Sequence, residues 1–187
     1  MNSLEERIAR AVREVVHIVP YDPRWPEFFA LERDHLRACL PADLLGRIEH
    51  YGSTSVPGLA AKPIVDMLVE VTDLVAAQER IVPVLEAQGY DYFWRPSGGT
   101  EDGEPFYAWF IKRNPQGERT HHLHMVEAHF AHWEQLRFRD YLMTHPEAAM
   151  EYLRLKLRLA ADHPNDREAY THGKSEFIAG IMKRPLG

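Results

Sequence analysis

The clearest pattern in the chain is an apolar run at 64–71, IVDMLVEV, that is rich in β-branched residues. It contains neither Gly nor Pro, and this composition favours a buried β-strand. A shorter run at 48–51 ends at Gly52 and predicts a second strand. The stretch between them, GSTSVPGLAAKP, has the small hydroxyl residues, glycines and prolines typical of a loop. The pattern therefore predicts strand, tight loop and strand, with the two strands adjacent in one sheet.

Apolar residues at helical spacing predict most of the remaining elements. Helices are predicted at 3–13, 23–40, 72–88, 129–144, 146–163 and 166–183. Ser3 and Glu6 have capping-box spacing in the first helix, Asp22 is the predicted cap of the second, and Pro83 predicts a kink or an early end in the third. Strands are predicted at 15–19, 90–95, 106–112 and 119–126, the last two as a hairpin around NPQG. Residues 97–105 are predicted to form a surface loop.

This order of elements predicts an α+β fold in one domain over residues 1–187. A mixed sheet of about five strands is expected to be covered by helices, and the C-terminal third is expected to be helical. The net charge of −6 argues against a general nucleic-acid-binding surface. Cys39 is the single cysteine, Glu5 and Glu6 interrupt any signal peptide, and no apolar run approaches the ~20 residues of a membrane span. We expect a cytoplasmic protein with no membrane partner.

Asp66 is the one charged residue in the middle of the buried strand. An isolated carboxylate is costly to bury unless it is paired, hydrogen-bonded or bound to a metal. The preceding residues Gly52, Ser53, Thr54 and Ser55 can offer backbone N–H groups and hydroxyls to an anion. The sequence lacks the spacing of a Walker loop, so an ordinary turn between two strands is the alternative interpretation.

Strand alternation places Asp66, Leu68 and Glu70 on one face. A Gly-Ser loop after one strand and an acid on the next is the layout of the nucleotidyltransferase fold, in which two carboxylates at i and i+2 hold divalent metal. Here the i+2 position is Leu68. Glu70 lies about 13 Å along the strand from Asp66, whereas two metals that share ligands lie about 3.5–4 Å apart. The sequence therefore predicts at most one Mg²⁺ ion, bound by Asp66.

The motif GSTSVPGLAAKPIVDMLVEV resembles the signature of the GrpB-like family of predicted nucleotidyltransferases. The resemblance extends over about residues 16–181 and includes the segments YDPRWP, HHLHMVE, FRDYL, HPE, YLRLKLRLA and AYTHGKSEFI. It implies a nucleotidyltransferase-like fold. The family has no established substrate.

His122 and His124 alternate on a predicted strand, so their side chains can converge on one ligand or metal. The histidine-triad pattern fails because Thr120 and Val126 occupy the neighbouring alternate positions, and a purely structural role is the alternative. Three lysines in the resembling segments can reach an anionic ligand or extend into solvent. They are Lys62, Lys156 and Lys174.

These residues predict an enzyme, or a former enzyme, of the nucleotidyltransferase type. The ligand is expected to be a nucleotide or a phosphorylated small molecule. Asp66 is the predicted catalytic and metal-binding residue. The predicted ligand-binding residues are Gly52, Ser53, Thr54, Ser55, Lys62, His122 and His124. The expected reaction is transfer of a nucleotidyl group to a hydroxyl with Mg²⁺. The alternatives are a non-catalytic protein that binds a nucleotide or phosphometabolite and a metal-dependent hydrolase built on the histidines.

Overall fold

The structure, a computed structural model, describes residues 4–96 and 105–184. The helices are α1 Leu4–Arg13, α2 Trp25–Cys39, α3 Leu74–Arg80, α4 Val82–Ala87, α5 Gln135–Thr144, α6 Pro146–Asp162, α7 Arg167–His172 and α8 Ser175–Met182. The strands are β1 Leu45–Tyr51, β2 Val65–Val71, β3 Asp91–Pro96, β4 Phe106–Arg113 and β5 Arg119–Val126. Two 3₁₀ turns lie at Ser53–Ser55 and Ala131–Glu134. The predicted cap Ser3 and almost all of the loop predicted at 97–105 fall outside the described residues.

The five strands form one sheet in the order β1-β2-β5-β4-β3. β2 and β5 are parallel, and every other neighbouring pair is antiparallel. The predicted mixed sheet, the hairpin and the pairing of the first two strands are therefore confirmed. The register places Asp66 between Tyr51 of β1 and His122 of β5.

Helices α2, α3 and α4 cover the sheet face that does not carry Asp66. That face is fully buried at Met67, Phe110 and Leu123, in the same core as residues of the three helices. Gln78 of α3 donates a hydrogen bond to the Tyr92 hydroxyl at 2.9 Å. The alternate side chains of β2 and β5 therefore point toward the other face, where the C-terminal helices approach.

The C-terminal helices hold the segment that follows the first 3₁₀ turn. Val56 and Leu59 are buried in a second apolar cluster with Leu142 of α5, Tyr152 of α6 and Ile181 of α8. The helical C-terminal third is thus part of the packing that fixes the loop between β1 and β2.

None of the described helices is long and apolar enough to cross a membrane.

The strand predicted at 15–19 is wrong apart from a single bridge. Val19 and Ala61 exchange two backbone hydrogen bonds of 2.8 and 3.0 Å, and the Val16 N–H donates to the Pro164 carbonyl oxygen. The backbone groups of this segment are satisfied by the loop before β2 and by the C-terminal region. It therefore lies beside the loop and does not add a sixth strand to the sheet.

The second helix begins later than predicted. Asp22 accepts the Arg24 N–H at 2.9 Å, and residues 22–25 form a turn closed by the Trp25 N–H on the Asp22 carbonyl oxygen. The first helical hydrogen bond runs from the Phe28 N–H to the Arg24 carbonyl oxygen. Asp22 thus caps a turn, and the helix starts at Trp25.

Three predicted helices are each divided in two. The helix predicted at 72–88 breaks at Ile81, because Pro83 lacks the N–H that a continuous helix requires and fits only in the first turn of α4. The helix predicted at 129–144 opens with the turn Ala131–Glu134. The helix predicted at 166–183 breaks at Gly173 and Lys174, since glycine is a weak helix former. This last break places Lys174 ahead of α8.

Candidate functional site

The close approach of Gly52 to Asp66 fixes the centre of the site. Gly52 leads from β1 into the 3₁₀ turn with φ 71° and ψ −174°. A Cβ atom at this position would lie 2.5 Å from Asp66 Oδ2. Glycine is the residue that combines this backbone conformation with so short a contact. The turn therefore begins directly against the carboxylate of β2.

The hydroxyl groups of Thr54 and Ser55 are engaged within the protein. Thr54 is 1% exposed, and its hydroxyl donates to the Ile64 carbonyl oxygen at 3.3 Å. His50 Nε2 lies 3.0 Å from the same hydroxyl and donates to it. Ser55 Oγ donates to the Gly52 carbonyl oxygen at 2.6 Å. Both hydroxyls therefore stabilise the turn through hydrogen bonds within the protein. The sequence had suggested them as contacts to a ligand.

Asp66 is hydrogen-bonded to His122 across the parallel strand pair. His122 Nδ1 lies 2.9 Å from Asp66 Oδ1, and His122 Nε2 lies 3.2 Å from Arg119 Nη1. A guanidinium can only donate, so Nε2 accepts and the ring proton resides on Nδ1. His122 therefore donates to the carboxylate as a neutral imidazole.

The charge states of this pair follow from burial and from their contact. Burial alone would raise the pKa of Asp66, but the His122 hydrogen bond and the nearby positive charges outweigh it and hold the pKa at about 2. Burial lowers the pKa of His122 to about 4 in spite of the adjacent carboxylate. At neutral pH the site therefore holds an ionised Asp66 and a neutral His122. Asp66 keeps 29% of its side-chain surface exposed, so a ligand can reach it.

His124 lies on the same face among aromatic rings. Its ring centroid is 5.4 Å from that of Tyr51, 5.6 Å from that of Tyr107 and 6.3 Å from that of His132. Burial lowers the pKa of His124 well below its usual value. Its Nδ1 is buried and has no hydrogen-bond partner among residues 4–96 and 105–184. His124 is therefore a neutral ring whose buried nitrogen is available.

Asp66, His122 and His124 form the candidate metal-ligating group of the described residues. Each offers one donor atom, and the three atoms lie within 4.8 Å of one another. The i+2 position on β2 is the fully buried Leu68, and Glu70 pairs with Arg47 at 2.9 Å. β2 therefore supplies no second carboxylate beside Asp66. The donor set is one oxygen and two nitrogens.

Two lysines contact the same tyrosine ring beside this group. Lys62 Nζ lies 5.1 Å and Lys174 Nζ lies 4.8 Å from the centroid of the Tyr170 ring. Burial and the Lys174 charge lower the pKa of Lys62 to about 7, and burial lowers the pKa of Lys174 to about 8, although Asp66 raises both. Within the described ranges neither ammonium group forms an ion pair or a hydrogen bond. Asp66 is thus flanked by two half-buried lysines without direct partners, and at neutral pH Lys174 is mostly charged and Lys62 about half charged.

The third lysine has a structural role. Lys156 is 2% exposed, and its Nζ donates to the Ala60 carbonyl oxygen at 2.5 Å. It also lies 5.0 Å from the centroid of the Tyr152 ring. Helix α6 therefore holds the loop at Ala60.

Three arginines converge on the carboxylate of Glu14. Arg113 Nη1 and Arg119 Nε each lie 2.5 Å from it, and Arg167 Nη1 lies 3.2 Å from it. Arg119 also donates to the Ala11 carbonyl oxygen at 2.6 Å. Arg113 also pairs with Asp91 at 2.9 Å, so two carboxylates serve these three guanidinium groups, and this side of the site keeps an excess of positive charge.

The structure brings Gly52, Lys62, Asp66 and the two histidines together on one side of the sheet. Sequence reasoning did not find Arg167 or Tyr170, and it gave Lys174 no greater weight than Lys156. The available signal was the segment AYTHGKSEFI, where a glycine interrupts a helical pattern just before a lysine. That break brings Lys174 back toward the Tyr170 ring.

The fold and this arrangement define a nucleotidyltransferase-like protein: a mixed sheet, a Gly-Ser turn after one strand and an acid on the next. The chain belongs to the GrpB family, because the model of that family, described as "GrpB protein", matches residues 15–184. The resemblance noted in the sequence is thereby confirmed.

Relatives cover nearly the whole chain. It is 41% identical over 183 residues to the UPF0157 protein PA4798 of Pseudomonas aeruginosa, which covers 97% of this chain and 72% of that protein. It is 33% identical over 168 residues to the glutamate-rich protein GrpB of Alkalihalophilus pseudofirmus, and this alignment covers 89% of this chain and 94% of that protein. The crystal structure of the conserved protein GrpB from Enterococcus faecalis superposes with a TM-score of 0.75 at 34% identity, covering 89% of this chain and 95% of that chain.

Proposed function

We propose that the site binds a nucleotide or another phosphorylated small molecule, with its phosphates between Lys62, Lys174 and the turn that begins at Gly52. The pair of half-buried ammonium groups on the Tyr170 ring carries this proposal. Burying a cation is unfavourable unless an anion or a hydrogen-bond network compensates it. Lys156 shows the structural solution, a bond to a carbonyl oxygen, whereas Lys62 and Lys174 have no such bond in the described residues. A phosphate supplies the missing negative charge.

Asp66 supplies the second half of the proposed site. It is ionised at neutral pH and adjacent to the turn, so it can accept a hydrogen bond from a substrate hydroxyl or contact a Mg²⁺ ion that arrives with the phosphates. Magnesium sites of this kind use one or two carboxylates together with substrate phosphate oxygens. Transfer of a nucleotidyl group to the bound hydroxyl is the activity that this arrangement supports.

Leu68 favours a second candidate function, binding without transfer. A two-metal mechanism requires carboxylates that bridge both ions, and the fully buried Leu68 stands where the partner of Asp66 would lie. Pyrophosphate release from ATP in the presence of candidate hydroxyl acceptors distinguishes the two. Sustained release identifies a transferase, and binding without release identifies a binding protein.

Replacing Lys62 or Lys174 with methionine is expected to weaken ATP binding at least about tenfold each, because each change removes one charge-assisted contact worth about 1.5–3 kcal/mol. Isothermal titration calorimetry at pH 7 measures the affinities. Lys183→Met is the matched control. Lys183 is exposed and follows the C-terminal end of α8, so this variant should bind ATP with unchanged affinity. A double variant, K62M with K174M, that binds ATP as tightly as wild type would disprove the proposed phosphate site.

Asp66→Asn tests the carboxylate separately. This change keeps the size of the side chain and removes its charge, so it should abolish any increase in ATP affinity caused by Mg²⁺. Binding in the absence of Mg²⁺ should persist, because the lysines and the turn remain. Calorimetric titrations with and without Mg²⁺ give both quantities. If the Mg²⁺-dependent increase survives in the variant, the ion is bound elsewhere.

A further inference from the structure

We propose that Asp66, His122 and His124 form a mononuclear centre for a transition-metal ion of the Zn²⁺ class. The proposal concerns the ligand-free protein; it shares Asp66 with the proposed phosphate site but does not rest on Lys62 or Lys174. It differs from the Mg²⁺ expectation that the fold suggests, because two of the three donors are imidazole nitrogens.

The geometry of the three donors is close to that of a bound ion. Asp66 Oδ1 and His122 Nδ1 are 2.9 Å apart, and one donor atom from each of the three residues lies within 4.8 Å of the other two. Two ligands that are each about 2.0–2.2 Å from one ion lie about 3.3–3.6 Å apart at the tetrahedral angle of zinc sites. The aspartate and the first histidine are somewhat closer than this spacing, so small movements of the His122 and His124 side chains complete the set.

The chemistry of the donors selects the ion. Mg²⁺ prefers octahedral oxygen ligands, whereas neutral imidazole suits Zn²⁺, Fe²⁺, Ni²⁺ and Cu²⁺. Three protein ligands leave a further coordination position for water or a substrate oxygen, as in catalytic zinc sites. The carboxylate is reachable from solvent, so an ion can enter and a ligand can reach it.

His124 is suited to complete the centre. Hydrogen bonds to the described residues do not hold its ring, and its Nδ1 is buried without a partner. A buried polar atom without a partner is costly, and a bond to a metal removes that cost. The aromatic rings of Tyr51 and Tyr107 pack against His124 and limit the directions in which it can turn.

Metal binding also requires a rearrangement at His122. An ion bound at Nδ1 moves the ring proton to Nε2, which can then no longer accept the hydrogen bond from Arg119. Arg119 retains Glu14 and the Ala11 carbonyl oxygen, so this loss does not leave a buried guanidinium without partners. The proton changes position on the ring, and none is released at neutral pH.

The test uses the full chain, stripped of metal with a chelator and then desalted. Calorimetric titration should show one equivalent of Zn²⁺ bound at least about 100-fold more tightly than Mg²⁺. His124→Gln and Asp66→Asn should each weaken Zn²⁺ binding at least about 30-fold. His132→Gln is the matched control, because this ring lies 6.3 Å from that of His124 and outside the donor set, and its Zn²⁺ affinity should equal that of wild type.

Co²⁺ provides a readout on the unmutated protein if the variants do not fold. One equivalent of Co²⁺ should produce the visible absorption bands of a four- or five-coordinate ion with nitrogen ligands, and added Zn²⁺ should abolish them. The proposal is overturned if wild type binds Mg²⁺ as tightly as Zn²⁺, if His124→Gln retains wild-type Zn²⁺ affinity, or if Co²⁺ shows only the spectrum of its aqueous ion.

Discussion

Lowering the pH from 6.5 to 4.5 is expected to reduce the free energy of unfolding by at least about 4 kcal/mol. Burial lowers the pKa of His50 and of His132 to about 4, whereas an unfolded histidine titrates near 6.5. Between these values the unfolded chain binds more protons than the folded chain, so stability falls as the pH falls. His122 and His124 act in the same direction. Since domains are typically stable by about 5–15 kcal/mol, unfolding near pH 4.5 is the expected outcome.

Chemical denaturation followed by circular dichroism from pH 7.5 to 4.5 measures this dependence. Near pH 5.5 the two histidines alone should give a slope of about 2–3 kcal/mol per pH unit. His132→Gln should reduce the slope by about 1 kcal/mol per pH unit. Glutamine does not titrate, so this position no longer binds a proton in the unfolded chain that it cannot bind in the folded chain. His129→Gln is the control, since the His129 side chain is 73% exposed and should not affect the slope. A free energy of unfolding that stays constant over this range would contradict the prediction.

Gly52→Ala is expected to destabilise the protein by about 3–5 kcal/mol and to abolish ligand binding at Asp66. The backbone at Gly52 lies in a region that is nearly restricted to glycine, which costs another residue about 1–3 kcal/mol. In addition, the new Cβ would lie 2.5 Å from Asp66 Oδ2. The carboxylate would have to move and lengthen its bond to His122, and hydrogen bonds to charged groups are worth about 1.5–3 kcal/mol.

Gly58→Ala separates these two contributions. Gly58 also has positive φ, at 77°, but a Cβ there meets no atom within 4 Å. This variant should therefore lose only the conformational part, about 1–3 kcal/mol, and should bind ATP and Zn²⁺ as wild type does. Denaturation curves and calorimetry on both variants give the comparison. Equal destabilisation and equal ligand affinity in the two variants would show that the contact with Asp66 has no energetic importance.

The sequence was sufficient for the sheet because the relevant signals are local. Two-residue alternation and the Gly-Ser loop determine that 48–51 and 64–71 are strands joined by a loop, and NPQG determines the hairpin. The same alternation places Asp66, His122 and His124 on defined faces of their strands. It also identifies Leu68 as the residue that replaces a second carboxylate.

The local sequence pattern did not predict the lengths of the helices or the conformation and pairing of residues 15–19. Pro83 marked the irregularity near Ile81, but an apolar stripe continues across Gly173 in the sequence, so the pattern alone did not predict the break there. Residues 15–19 have strand composition, but their hydrogen bonds go to Ala61 and Pro164, which are distant in sequence.

The properties of the site itself depend on contacts between residues that are far apart in the chain. Lys62 and Lys174 are separated by 112 positions in the sequence and contact one ring only because α7 presents Tyr170 to both. The tautomer of His122 is set by Arg119 and Asp66 together. The sequence by itself determined which residue types stand on each strand face, since that requires only backbone geometry. The tertiary structure alone decided which charges lack partners and which histidines are neutral, because burial and electrostatic environment arise from the packing of the whole chain.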